Sequence, residues 1–116
     1  MTVIMYGIPN CDTVKKARTW LAENGIEFTF HDYKKQGVPA DRLTQWVDEH
    51  GWEVVLNRAG TTFKKLPDEA KSDLNADKAI ALMIEQPSMI KRPVLDLGQG
   101  KTVLGFKPDV YAEALG

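Results

Sequence analysis

The hydrophobic period of this chain switches from two to 3.6 and back, and the order of those switches limits the folds open to it more than any single motif. Thr2 to Tyr6 is a short β-rich run, closed by Gly7-Ile8-Pro9-Asn10. From Thr13 the apolar residues Val14, Ala17 and Leu21 recur at helical spacing, joined by Trp20, and Gly25 supplies a stop just past the helix end. Glu27 to His31 alternates as a second strand, and Asp32 to Gly37 reads as a polar loop. A strand, a helix and a strand joined by connections of this length imply parallel strands with a right-handed crossover.

The middle of the chain is helical. Leu43, Trp46, Val47 and His50 fall at i, i+3, i+4 and i+7, with Gly51 ending the pattern. Pro67 followed by Asp68 and Glu69 reads as a first helical turn with Pro at N1. Asn75 is placed to cap a helix whose apolar face is Ala79, Leu82 and Met83, and Pro87 closes it. The period then returns to two. Val94 to Leu97 and Thr102 to Phe106 flank Gly98-Gln99-Gly100-Lys101, a β-hairpin pattern, and Pro108 opens a last short helix. The order is therefore βαβ, a helical insertion over about 38–87, then ββα. On one mixed sheet this is the α/β thioredoxin arrangement, expected here as a single domain over 1–116 with an inserted helical subdomain.

Composition narrows the function classes. With 15 basic and 16 acidic residues the net charge is −1, so neither a dedicated nucleic-acid binder nor a membrane-surface binder is expected. The longest apolar run, Ala79 to Ile84, is far short of the ~20 residues that span a bilayer. Met1 to Tyr6 carries no basic start and no long apolar stretch, so no secretory leader is expected. One cysteine in the chain excludes an internal disulfide and fits a reducing, cytoplasmic setting. His31 and His50 lie on different elements with a single cysteine to join them, so no metal site is expected. The Gly98 to Thr102 segment resembles a fragment of a phosphate-binding loop. Leu95 stands where that loop needs its first glycine, however, and a strand follows where a helix should. Trp20, Trp46 and Trp52 read as core or core-edge residues.

Cys11 is the residue that carries chemistry. It lies between the first strand and the first helix, where unpaired backbone N–H groups and the positive end of the helix dipole favour a thiolate. Lys15, Lys16 and Arg18 add positive potential one to two turns on, whereas Asp12 opposes it if its carboxylate faces the sulfur. Val14 occupies the position three after Cys11, so no Cys-x-x-Cys exists and turnover requires a mixed disulfide with an outside thiol. Glutathione, an abundant thiol bearing carboxylates, is the co-substrate expected, with no bound cofactor. Arg92-Pro93 precedes the third strand, and a cis-proline at that place in a thioredoxin fold faces the cysteine of the first helix.

Tyr6-Gly7-Ile8-Pro9-Asn10-Cys11-Asp12-Thr13, Asn57-Arg58, Lys91-Arg92-Pro93-Val94 and Gly105-Phe106-Lys107-Pro108 together resemble the arsenate-reductase-like (ArsC/Spx) family, in order and spacing along essentially the whole chain. Within it the chain is most similar to the YffB-type proteins, proposed to be glutathione-dependent thiol reductases. The resemblance implies that Cys11 is the nucleophile and that Pro93 is the cis-proline. It also implies that Arg58 and Arg92 match two of the three arginines around the oxyanion of the glutaredoxin-coupled arsenate reductases. Asn10 and Asp12 flank the nucleophile and join the expected substrate-binding set with Arg58, Arg92, Pro93 and Lys107. Two departures stand out. Lys107 replaces the third arginine, keeping the charge and losing the planar fork. Gly7 stands where the arsenate enzymes carry a histidine.

The function expected from the sequence is a monothiol, glutathione-dependent thiol–disulfide oxidoreductase acting on glutathione or an oxidised thiol. The alternatives are a glutaredoxin-coupled arsenate reductase and a non-catalytic, Spx-like regulator that binds RNA polymerase.

Overall fold

The computed structural model describes residues 3–98 and 100–115. The part of the first strand expected at Thr2, and Gln99 of the hairpin turn, lie outside the described residues. The chain divides into two compact units, Met1–Gln36 with Arg92–Gly116, and Gly37–Lys91.

The first unit is built on a four-stranded sheet of β1 (Ile4–Gly7), β2 (Thr29–Asp32), β3 (Val94–Gly98) and β4 (Lys101–Leu104), in the order β2-β1-β3-β4. β1 runs parallel to β2 and antiparallel to β3, and β3 is antiparallel to β4. The sheet is therefore mixed, as the order of periods implies. Register places Phe30, Met5, Leu95 and Val103 in one row across the four strands. Because strand side chains alternate between faces, this row forms one apolar surface. It meets Val14, Ala17 and Leu21 of α1 (Asp12–Glu23) and Tyr111 of the last helix (Pro108–Leu115) in a single buried cluster. α1 ends as the sequence implies, with Asn24 at the cap and Gly25 at φ 69°.

Three expectations in this unit need correction. Asp32 to Gly37 is not simply a loop, since α2 (Tyr33–Gln36) forms one turn of helix there. Tyr33 supplies the reason. Its ring is buried and stacks with Tyr6 at 6.3 Å between centroids, which draws the backbone in after β2. β2 itself is displaced toward Asp32 from the span Glu27 to His31. β4 ends at Leu104, not Phe106, because Gly105 takes φ 76° and donates its N–H to the Pro93 carbonyl at 2.9 Å, turning the chain away. The hairpin is tightened by a register shift between Asp96 and Gly98, where the buried Asp96 carboxylate accepts the Gly98 N–H at 2.8 Å.

The second unit is helical: α3 (Ala40–His50), α4 (Trp52–Val55), α5 (Thr61–Lys64), α6 (Asp68–Lys71) and α7 (Ala76–Glu85), then a 3₁₀ turn at Pro87–Met89. α3 packs against α4 and α7 and buries Leu43, Trp46 and Val47, the face set by its spacing. α4 and α5 are single turns, too short to leave a period in the sequence. Pro67 sits at the N-cap of α6 with φ −63° and ψ 153°, one residue before its expected place at N1. α7 buries Ala79 and Met83 and leaves Leu82 half-buried. Asn75 caps α7 as expected, its Oδ1 accepting the Lys78 N–H at 2.9 Å. Asn75→Ala should therefore cost about 1 kcal/mol in urea unfolding. An unchanged midpoint would mean that this cap is not formed.

Two buried phenols give stability a pH dependence. Burial, reinforced for Tyr33 by the neighbouring Tyr6 phenol, raises the ionisation of Tyr33 far above the ordinary phenol range, and burial does the same for Tyr111. In the unfolded chain each phenol loses its proton near pH 10, while the folded chain keeps it. Above pH 10 the unfolded state thus binds fewer protons, and stability should fall by up to about 1.4 kcal/mol per pH unit for each tyrosine. Urea midpoints between pH 9 and 11 read this directly, and Tyr33→Phe should remove about half of the slope. A flat profile would contradict the burial of both hydroxyls.

Candidate functional site

The candidate site of the first unit lies at one end of its sheet. β1 leaves that end through Gly7 and returns as α1 through Ile8, Pro9 and Asn10. The antiparallel pairing of Tyr6 with Val94 brings the start of β3, and so Arg92-Pro93, to the same end. Gly105, bonded to the Pro93 carbonyl, brings the turn that carries Lys107 there as well. Topology therefore gathers Asn10, Cys11, Asp12, Arg92, Pro93 and Lys107 from three separate segments.

Cys11 is the N-cap residue of α1, with extended backbone at φ −139° and ψ 126°. Its carbonyl accepts the Lys15 N–H at 2.9 Å, the first bond of the helix, and its side chain makes no capping hydrogen bond. The thiol is half-buried, packed at the edge of the apolar cluster beneath α1. It thus stands beside the orphan N–H groups of a twelve-residue helix. Asn10 and Asp12 are exposed on either side of it. The Arg92–Pro93 peptide bond is cis, with Pro93 buried and Arg92 half-buried. Lys107 is exposed, and its carbonyl accepts the Tyr111 N–H at 3.0 Å where α8 (Pro108–Leu115) begins. Among the described residues Lys15, Lys16, Arg92 and Lys107 are held in no ion pair. Arg18 is different, because its guanidinium lies 4.3 Å from the centroid of Phe30.

Arg58 belongs to the helical unit. It is exposed after α4, and its guanidinium lies 5.6 Å from the centre of the Trp52 ring. Among the described residues no group of three His, Cys, Asp or Glu side chains is placed to hold a metal ion. Nor is any helix of the described residues long and apolar enough to cross a membrane.

Gly7 has a packing role that sequence spacing did not show. A Cβ at this position would stand 3.1 Å from Cγ2 of Val14, with the Phe30 ring at 3.9 Å. Val14 is fully buried and, being β-branched, has little freedom to turn aside. The absent side chain lets α1 pack closely on the end of β1. Gly7→Ala should destabilise the protein by about 1–3 kcal/mol through overpacking. A urea midpoint equal to wild type would show that α1 yields at no cost. A histidine at the same position would face a larger conflict. Trp20 and Phe106 were also legible only as apolar residues. Both rings stand edge-on to Tyr111, at 5.7 Å and 4.9 Å between centroids, and so line the surface beside α1.

The model of the ArsC family matches residues 6–114. A solved YffB protein is 59% identical, covers 99% of this chain and 100% of its own, and superposes with a TM-score of 0.96. An arsenate reductase (ArsC) related protein from Brucella melitensis is 53% identical with a TM-score of 0.78, over 99% of this chain and 95% of its own. The global transcriptional regulator Spx of Streptococcus pyogenes serotype M3 is 28% identical over 92% of this chain and 80% of its own length. With the mixed four-stranded sheet, a cysteine at the N-cap position of the first helix and a family match running nearly from end to end, this chain belongs to the ArsC family, and its fold is thioredoxin-like.

Proposed function

We propose that the protein is a monothiol, glutathione-dependent thiol–disulfide oxidoreductase with Cys11 as its nucleophile. The observation that carries this reading is the position of Cys11, which is both the chain's single thiol and the N-cap of α1. That position sets the sulfur beside the unpaired backbone N–H groups that open the helix, which is where a nucleophilic thiol is used.

In the first step the Cys11 thiolate attacks the glutathione sulfur of a mixed disulfide between glutathione and a substrate thiol. The sulfur–sulfur bond breaks, and the substrate leaves as a thiolate that takes up a proton. This leaves Cys11 bonded to glutathione. A second glutathione thiolate then attacks the sulfur of the bound glutathione, releasing oxidised glutathione and regenerating Cys11. The substrate gains two electrons, and the two glutathione sulfurs end as a disulfide. The outside thiol is obligatory because the chain has no second cysteine to resolve the intermediate. Arg92 and Lys107 would hold glutathione carboxylates, and the backbone at Pro93 would pair with the glutathione peptide. Asn10 and Asp12 would border the bound thiol. For Arg58 a contribution is supported by the resemblance alone.

Steady-state reduction of a small mixed disulfide of glutathione tests the reading. Parallel double-reciprocal lines against glutathione are expected, the pattern of a covalent intermediate. Arsenate supplied with glutathione and glutaredoxin should turn over far more slowly, since Lys107 offers no bidentate fork and Val14 fills the space beside Gly7. Faster arsenate turnover would replace this reading with arsenate reduction. No turnover of either substrate, with capture of the polymerase α-subunit by wild type and Cys11→Ser alike, would replace it with a regulatory role.

A further inference from the structure

We propose that the groove between α1 and the Phe106–Pro108 segment docks an acidic polypeptide segment of the protein that carries the oxidised thiol. The role of that thiol rests on the oxidoreductase reading, whereas the docking itself does not.

The groove has a volume of about 400 Å³ and is lined by Lys15, Lys16, Thr19, Trp20, Glu23, Phe106 and Pro108. Lys15, Thr19 and Glu23 form an i, i+4, i+8 row that continues the line of Cys11 along α1. From Lys15 to Glu23 the row runs about 12 Å, the reach of four extended residues. The groove therefore begins one turn beyond the nucleophile and leads away from it.

Its chemistry changes along its length. Toward the Cys11 end of α1 the lining residues are Lys15 and Lys16, which among the described residues are in no ion pair. The middle is apolar, with Trp20 and Phe106 both fixed edge-on against Tyr111, so these walls are preorganised. Glu23 closes the far end. Glutathione has carboxylates but no apolar side chain to set against Trp20, Phe106 and Pro108. A polypeptide with acidic residues just after its cysteine and an apolar side chain beyond them matches cations first and aromatic walls second. The single acid at the far end disfavours further acidic residues there.

The test uses the full-length Cys11→Ser protein, so that binding is read without chemistry. The probes are a synthetic peptide with two acidic residues followed by phenylalanine, its counterpart with lysines in place of the acids, and oxidised glutathione. At low ionic strength the acidic peptide should bind at least tenfold tighter than the lysine peptide, shifting the NMR signals of Trp20 and Phe106. Lys15→Glu with Lys16→Glu should abolish that preference. Lys34→Glu with Lys35→Glu, the same charge change on α2, should preserve it. Equal affinity for the two peptides, equal loss in both variants, or displacement of the peptide by oxidised glutathione would each overturn the proposal. Tight, selective binding alongside an inert Cys11 would uphold the docking groove and remove the oxidoreductase reading.

Discussion

Cys11→Ser should lower mixed-disulfide reduction by at least about a thousandfold while leaving the protein as stable as wild type or slightly more so. The loss follows from the chemistry, because a serine hydroxyl neither ionises near neutral pH nor forms the sulfur–sulfur bond on which every step depends. The preserved stability follows from the site. Cys11 occupies the N-cap of α1 with no side-chain cap bond, and serine is among the preferred residues there. Its hydroxyl can accept an N–H of the first turn, which contributes up to about 1 kcal/mol. The pairing separates function from folding. Activity measured beside urea unfolding should show the first collapse and the second hold or rise. Retained activity in the variant would remove Cys11 from the mechanism, and a marked fall in stability would instead make the thiol a packing group.

Tyr111→Ala should destabilise the protein by about 3–5 kcal/mol, the usual range for emptying a large aromatic site in a core. Tyr111 is fully buried among Met5, Val14, Leu21 and Leu95, and it joins α8 to both α1 and the sheet. Its hydroxyl also donates to the Gly105 carbonyl at 3.1 Å, which ties α8 to the turn carrying Lys107. Tyr111→Phe should keep most of the packing and lose about 1 kcal/mol for the hydrogen bond. Urea unfolding of both variants checks the order. If Tyr111→Phe cost as much as Tyr111→Ala, the hydroxyl rather than the ring would hold this corner together. Because Trp20 and Phe106 lean on Tyr111, the alanine variant should also loosen the groove walls.

What the sequence disclosed depended on how local the cause was. α1 was legible because Val14, Ala17 and Leu21 repeat over a full helix, and Gly25 stops it through its own backbone freedom. Asn75 was legible as a cap because a cap is a relation between residues three apart. The end of β4 was not legible. It is set by a bond from Gly105 to Pro93, which no local pattern records. α2 escaped for the same reason, since it follows from the burial of Tyr33 against Tyr6. Cys11 could be placed at a helix start from spacing alone, and Arg92-Pro93 could be set opposite it from the order of elements, whereas Lys107 could be joined to the same site only through the resemblance. The pairing of Tyr6 with Val94 supplies the physical reason for that grouping, bringing three distant segments to one sheet end. Gly7 reads as a turn residue in sequence, and its closeness to Val14 shows it as a packing constraint.

The most direct measurement is the intact mass of the wild-type protein after incubation with oxidised glutathione, followed by addition of reduced glutathione. One glutathione should add, at Cys11 and not in Cys11→Ser, and the reduced thiol should then remove it completely. A protein that stays unmodified under these conditions, or an adduct that glutathione cannot release, would contradict catalysis through Cys11.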